Sequence, residues 1–161
     1  MLSVHVRAAS PGDAAAMAVL LNEIISVGGT TAHTDPFSVD DIVSTFISPA
    51  KGLSCFVAEE NTILLGFQAL EWSDPNWPGE HVVPDDWAFI ATYVASGQRG
   101  KGIGRRLFAK TLSAAREAGV RCIDATIRRE NQLGQAFYGG MGFEDYRHHK
   151  EAISKRFVVQ E

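Results

Sequence analysis

A nearly uninterrupted apolar run that leads through a glycine-rich turn into an amphipathic helix is the feature that most constrains the fold. Residues 87–94 read WAFIATYV, a pattern typical of a central strand buried on both faces. Residues 99–106 read RGKGIGRR, and apolar residues recur at helical spacing over 103–118. Glycines let the backbone approach a ligand closely, and the unpaired N–H groups of a helix N-terminus bind phosphate groups. The segment therefore predicts a phosphate site at a strand–helix junction of an α/β fold.

The rest of the sequence supplies further strands and helices around this segment. Strands are predicted over 4–8, 53–59, 63–71, 121–127, 143–150 and 154–160, and helices are predicted to start after Ser10, Ser38 and Asn131. Two loops rich in glycine or proline, 28–36 and 72–84, separate some of these elements. No shift in composition marks a linker, so residues 1–161 are predicted to form a single α/β domain.

Charge and composition limit the classes of partner that the protein is expected to bind. The formal net charge is -4, and the strongest basic cluster, 99–106, is short and contains glycines. It suits a small phosphate ligand better than a nucleic acid, which usually meets a broad basic face. The sequence shows no signal peptide and no apolar run near the roughly 18 residues of a membrane span, so a cytoplasmic location without a membrane partner is expected. Cys55 and Cys122 lie in apolar runs and are predicted to be buried thiols.

Three kinds of phosphate turn compete for residues 99–106. A P-loop requires a lysine followed by serine or threonine after its last glycine, but Gly104 is followed by Arg105, which excludes that motif. A dinucleotide-binding turn is disfavoured because its third glycine is missing, although Asp124 lies about twenty residues on, where a ribose-binding acid belongs. A plain glycine-rich turn also stays open, but such turns rarely need three spaced glycines together with several cations.

Residues 99–104 resemble a different signature, the R/Q-x-x-G-x-G/A motif of the GCN5-related N-acetyltransferase (GNAT) superfamily. Residues 131–143 are similar to the N-x-x-A-x-x-F-Y-x-x-x-G-F segment of the same superfamily, with Gly134 where alanine is commoner. The order of predicted elements also matches, so the resemblance covers nearly the whole chain. A shorter likeness, over 22–25 and 30–32, is to the phosphinothricin-type branch, which acetylates free α-amino groups of amino-acid-like compounds and often forms homodimers.

The resemblance implies a fold and a cofactor. The fold is a mixed central sheet of about seven strands with four helices and a splayed central strand at the cofactor site. The cofactor is acetyl-CoA. Its pantetheine arm would pair with the backbone of Val94 and Ser96 and would bond Asn131, and Arg105 would lie near its pyrophosphate. The backbone amides that would wrap the pyrophosphate belong to Arg99, Gly100, Lys101, Gly102, Ile103 and Gly104.

For catalysis, the resemblance implies that Tyr138 protonates the departing thiolate, because a phenol and a thiol have comparable pKa values. Many relatives carry a glutamate base on the central strand, but the matching position here falls near Ala88. We predict that Asp86, acting through a water, is the general base. Asp85, Glu71 and direct attack by an already deprotonated amine remain alternatives.

The acceptor is expected to be the primary amine of a small molecule. It would enter between the loops 28–36 and 72–84, where His33 and Trp77 are the predicted contacts. His5 and the His148–His149 pair have no Cys or acid at ligand spacing, so no metal site is predicted. Two other functions remain: acetylation of a protein N-terminus or lysine, and a non-catalytic acetyl-CoA sensor.

Overall fold

Seven strands form one mixed sheet in a computed structural model that describes residues 3–76, 79 and 82–160. The strands are β1 His5–Ala8, β2 Gly52–Glu60, β3 Ile63–Trp72, β4 Trp87–Val94, β5 Cys122–Arg128, β6 Glu144–His148 and β7 Ala152–Val158. The helices are α1 Ala14–Val27, α2 Val39–Ile42, α3 Ile103–Ala118 and α4 Gln132–Gly140. The order across the sheet is β1-β2-β3-β4-β5-β7-β6, and only β4 and β5 pair in parallel. The predicted architecture of about seven strands and four helices is confirmed.

Local capping chemistry sets the starts of the helices. The Ser38 hydroxyl accepts from the Asp41 N–H at 3.0 Å, and the Asp41 carboxylate accepts from the Ser38 N–H at 2.9 Å, which forms a capping box for α2. After α2 the chain continues as a wider π-type turn over Val43–Ile47. The first helix begins at Ala14, because the proline after Ser10 starts a short 3₁₀ turn before α1.

The two faces of the sheet are covered by different helices. Helices α1 and α2 bury Phe67 and Ala69 on one face, and α3 and α4 pack over Leu70, Ile90 and Ile123 on the other. Both cysteines are buried as predicted, and burial raises the pKa of the Cys55 thiol to about 12. Within the described residues, no helix is long and apolar enough to cross a membrane.

The pairing between β4 and β5 stops halfway along the strands. Three pairs are formed, the last being Phe89 with Asp124, and beyond it the strands separate. We call the gap between residues 90–94 of β4 and 125–128 of β5 the notch. The predicted splayed central strand is thereby confirmed. The expectation that β4 is buried on both faces holds only for its first half, since residues 91–94 border the notch and are half-buried.

Helix α3 approaches α4 closely at Gly104, and this contact gives a stability prediction. A Cβ atom at Gly104 would lie 2.4 Å from Cε1 of the Phe137 ring. Overpacking of this kind costs about 1–3 kcal/mol, which exceeds the gain of up to about 1 kcal/mol from replacing a helical glycine by alanine. We expect Gly104→Ala to lower the free energy of unfolding measured by urea titration. Gly97→Ala is the matched control, because a Cβ there meets no atom within 4 Å. Equal stability of the two variants would contradict the close contact.

Candidate active site

A cavity of about 520 Å³ runs through the notch and reaches both faces of the sheet. Ile24 and Thr30 line it from the side of α1, and Phe137 and Tyr138 line it from the side of α4. Most of the sequence-predicted cofactor residues also line this cavity, namely Val94, Arg99, Gly100, Gly102, Ile103, Gly104, Arg105 and Asn131. Ser96 and Lys101 are not among the described residues that line it. The structure therefore brings the two motifs together at one site.

The backbone of β4 offers unpaired groups to the notch. The Ala95 N–H donates to the Leu65 carbonyl at 2.9 Å, so Ala95 faces β3. Because hydrogen-bonding directions alternate along an antiparallel pair, the N–H and C=O of Val94 point the other way, toward the notch. This arrangement suits the extended amide arm predicted to pair there. Ser96 begins a 3₁₀ turn, Ser96–Gln98, so the extended pattern ends one residue before it.

The turn that follows β4 has the geometry that a pyrophosphate requires. Gly100 and Gly102 have φ of +79° and +78°, a region that glycine occupies without strain. A Cβ at either position would meet no atom within 4 Å, so the turn borders open space. The first N–H groups of α3 are available at this end of the helix, and the cationic side chains of Arg99 and Arg105 line the same cavity. These features fit the diphosphate of acetyl-CoA.

Asn131 is engaged at both ends of its side chain. Its Oδ1 accepts from the Gly134 N–H at 2.9 Å, which caps α4, and its Nδ2 donates to the Thr30 carbonyl at 3.0 Å. It therefore holds loop 28–36 against the cavity, a role that sequence reasoning did not include. A Cβ at Gly134 would lie 2.4 Å from the Asn131 Nδ2. An alanine at this position would require the Asn131 amide to shift from the place it occupies here.

Tyr138 is buried beside the notch, and its hydroxyl donates to Thr92 Oγ1 at 2.9 Å. Thr92 also accepts from the Gln68 amide at 2.9 Å, so Tyr138 is held toward β4. Burial raises the pKa of Tyr138 well above the ordinary tyrosine value, which keeps the phenol protonated. Because of this burial, the pKa of the Tyr138 phenol lies above the ordinary thiol value and does not match it as expected. Thr92 was missed, although a hydroxyl inside the apolar run of β4 was a usable signal.

Loop 28–36 lies over the face of the notch on the side of α1. Thr31 is buried, its carbonyl accepts from Arg128 Nη1 at 3.1 Å, and its hydroxyl accepts from the His33 N–H at 3.2 Å. His33 belongs to this loop but lines a second, shallower cavity of about 420 Å³ together with Asp35 and Asp41. Trp77, the other predicted acceptor contact, lies outside the described residues. Thr30 lines the cavity at the notch and Thr31 contacts Arg128 on β5, and both residues belong to the segment that resembles the phosphinothricin-type branch.

The acids considered as bases lie at the closed end of β4. Asp86 precedes the strand, and its carboxylate accepts from Arg121 Nε at 3.0 Å on the protein surface. On β3, Glu71 pairs with Phe89 before the notch opens, and burial raises the pKa of the Glu71 carboxyl. Ala88 is fully buried. The position of Asp86 does not support a base role, because the strands are still paired there and the notch opens only after Phe89. Among the described residues, no group of three or more His, Cys, Asp or Glu side chains could hold a metal ion.

Comparison with known proteins identifies the family of the chain. The model of the Acetyltransferase (GNAT) family matches residues 22–143. The chain is 26% identical over 143 residues to the L-amino acid N-acyltransferase MnaT of Escherichia coli (strain K12), covering 87% of this chain and 79% of that protein. It is 26% identical over 140 residues to YwnH of Bacillus subtilis (strain 168), whose name marks it as a candidate phosphinothricin acetyltransferase, covering 87% and 83% of the two chains.

A solved structure extends the comparison to the fold. The structure of yncA from Salmonella typhimurium with its cofactor acetyl-CoA superposes with a TM-score of 0.79 at 17% identity, covering 99% of this chain and 95% of that one. The splayed strand, the glycine turn and the matching family model point to one conclusion. The chain belongs to the acetyltransferase (GNAT) family and is an enzyme that uses acetyl-CoA as its acetyl donor.

Proposed function

We propose that this enzyme transfers the acetyl group of acetyl-CoA to the primary amine of a small, amino-acid-like molecule. The observation that carries the proposal is the covered acceptor side of the notch. Loop 28–36 is tied down by Arg128 and Asn131 at 3.1 and 3.0 Å. A covered pocket suits a small acceptor, whereas a peptide needs an open groove. The similarity to an L-amino acid N-acyltransferase supports the same acceptor class.

The donor side of the mechanism depends on the glycine turn. Acetyl-CoA, when bound, supplies an acetyl group activated as a thioester. The backbone amides of residues 100–104 would hold its diphosphate, and Arg99, Lys101 and Arg105 would balance the charge. The peptide groups of Val94, with Ser96 and Asn131 at the two edges, would align the pantetheine arm. Together these contacts would fix the reacting carbon within the notch.

Tyr138 would provide the proton that the departing sulfur needs. Its hydroxyl reaches the notch beside β4 and is within 2.9 Å of Thr92. Because burial raises the pKa of Tyr138, the phenol carries its proton whenever an acceptor is bound. We also retain loop 28–36 with His33, and the loop that contains Trp77, as acceptor-side contacts.

The quaternary state and surroundings belong to the same proposal. The resemblance to the phosphinothricin-type branch suggests a homodimer with one acetyltransferase domain per chain, and we propose a cytoplasmic location for it. The net charge of -4 suggests no nucleic-acid partner, and we propose no membrane partner.

A panel of amines tests the acceptor class. The release of free CoA thiol should be measured with single amino acids, with peptides that begin with the same residues, and with no amine. We expect kcat/KM for the best free amino acid to exceed that of its matched peptide by at least about tenfold, or about 1.4 kcal/mol of transition-state binding. A better rate with the peptide would favour a protein acetyltransferase. If no amine raised thiol release above the amine-free rate, the sensor alternative would stand.

A further inference from the structure

Beyond the notch, the second half of the sheet carries a polar surface on the side of α1. Along β5, Ile123, Ala125 and Ile127 are buried under α3 and α4, so Asp124 and Thr126 point to the opposite face. Asp124 is only 1% exposed, whereas Thr126, two residues further along, is exposed to solvent. A buried carboxylate with an exposed hydroxyl beside it is unusual on a face that no helix covers, since α1 and α2 pack on β2, β3 and β4.

Hydrogen bonds link these groups across three strands. Thr126 Oγ1 donates to Asp124 Oδ1 at 2.8 Å and lies 2.8 Å from Ser154 Oγ on β7. Ser154 Oγ lies 2.9 Å from Nε2 of His149, in the turn between β6 and β7. The Tyr146 hydroxyl donates to the other oxygen of Asp124. The result is a continuous chain of hydrogen bonds from a buried carboxylate to a half-buried histidine at the edge of the protein.

This chain of hydrogen bonds begins beside the proposed acceptor side of the notch. Asp124 forms the last pair between β4 and β5, so Thr126 lies on the β5 edge of the notch, just outside the described residues that line the 520 Å³ cavity. On the same face, the next outward side chain of β5, Arg128, bonds the Thr31 carbonyl of loop 28–36. The proposed acceptor side therefore borders the exposed Thr126 hydroxyl. Strand β4 contributes no acid there, because its residues are WAFIATYV.

We propose that Asp124, Thr126, Ser154 and His149 form a proton relay that deprotonates the acceptor ammonium. This inference rests on the proposed function. The ammonium gives one proton to Thr126 Oγ1 as the Thr126 proton passes to Asp124. The amine lone pair then forms a C–N bond with the acetyl carbonyl carbon, and the C–S bond breaks. The sulfur leaves with the bonding electrons and takes a proton from Tyr138, which regains one from the acylated nitrogen. The proton held by Asp124 then returns through Thr126 Oγ1 to Ser154 and His149, so that one net proton leaves the site.

Other charged and titratable groups surround the relay. From β7, the Arg156 guanidinium stacks 5.7 Å from the centre of the Tyr146 ring. From β6, the Tyr146 side chain contacts Asp124. Burial raises the pKa of the Tyr146 phenol, so this phenol stays a protonated donor. From β6 as well, the positive charge of Arg147 acts on Tyr146. On β5, Arg128 pairs with Glu130 at 2.6 Å, and β4 contributes the apolar Phe89.

Thr126→Val tests the relay, because it removes the accessible hydroxyl and keeps the β-branched shape on an exposed strand position. For an acceptor amine with a pKa of about 10, we expect kcat/KM at neutral pH to fall about 10²–10⁴-fold, the usual contribution of a general base. The loss should shrink about tenfold per pH unit as the amine deprotonates in solution. The kcat/KM of the unchanged enzyme should vary far less with pH. Thr126→Ser should restore both the rate and the flatter profile.

Two controls separate the possible failures. Thr111→Val makes the same chemical change in α3 at a buried hydroxyl with no partner among the described residues, and its profile should match the unchanged enzyme. Calorimetric affinity for CoA should be unchanged in Thr126→Val. If the unchanged enzyme acetylates amines and Thr126→Val keeps its pH profile, the relay is wrong and the proposed function stands. A loss that is equal at every pH also overturns the relay, in favour of simple acceptor binding. An unchanged enzyme that acetylates no amine removes both.

Discussion

Replacing Tyr138 by phenylalanine is expected to lower kcat by about 10²–10⁴-fold, the usual contribution of a general acid. The change removes one oxygen and keeps the ring, which packs edge-on against Phe137 and Phe143. The affinity for acetyl-CoA should therefore change little. Tyr93→Phe is the comparison variant, because it removes a hydroxyl from a residue that lines the cavity on the α1 side of β4. We expect it to raise the acceptor KM more than it lowers kcat.

The pH profile gives a second measurement for Tyr138→Phe. A group whose pKa is raised keeps its proton until the pH exceeds that raised value. Since burial raises the pKa of Tyr138 above 10.0, its ionisation should not produce a basic limb below about pH 10. We expect the variant to lose rate evenly across that range. A variant that retains more than about a third of the kcat, far less than a general acid contributes, would leave Tyr138 as a packing residue.

Replacing Gly102 by valine is expected to weaken acetyl-CoA binding by more than about 100-fold. The loss of two charge-assisted hydrogen bonds to the diphosphate, at about 1.5–3 kcal/mol each, is sufficient for this effect. Gly102 has a φ of +78°, so a β-branched residue strains the turn by about 1–2 kcal/mol or more. Its side chain would also project into the open space where the diphosphate lies against the backbone.

Gly97→Val is the control for that experiment. Gly97 precedes the same turn, but unlike Gly102 its φ is outside the left-handed region, and Gly97 does not line the cavity. Calorimetry should find nearly unchanged affinity in Gly97→Val and strongly reduced affinity in Gly102→Val, with both variants folded by circular dichroism. Unchanged affinity in a folded Gly102→Val would place the diphosphate elsewhere.

Features that depend on neighbouring residues were predictable from the sequence. Helix α3 begins and ends at the predicted residues, because glycines in the left-handed region stand at both ends, Gly102 and Gly119. The cap at Ser38 depends on a side chain only three residues away. The strand, turn and helix around residues 87–118 therefore followed from short-range chemistry, and all the predicted cofactor residues that line the cavity except Asn131 came from the same segment.

Features that depend on distant residues were not predictable. The contact of Arg128 with Thr31 joins residues 97 positions apart, and the contact of Tyr138 with Thr92 joins residues 46 apart. Asp86 is near the central strand in sequence, but the direction of β4 puts it at the end opposite the notch. Asp124 was weighed only as a ribose-binding acid, because nothing local shows that β7 brings Ser154 beside Thr126.

A crystal structure of the protein with acetyl-CoA tests most directly the claim that the cofactor binds in the notch. The diphosphate should lie on the amides of residues 100–104, and the pantetheine arm should run along Val94. The thioester sulfur should come within about 3.5 Å of the Tyr138 hydroxyl oxygen, the upper limit of a hydrogen-bonding contact to a weak acceptor. A diphosphate bound away from the glycine turn, or a thioester that does not reach the notch beside Tyr138, would contradict the assignment of this site.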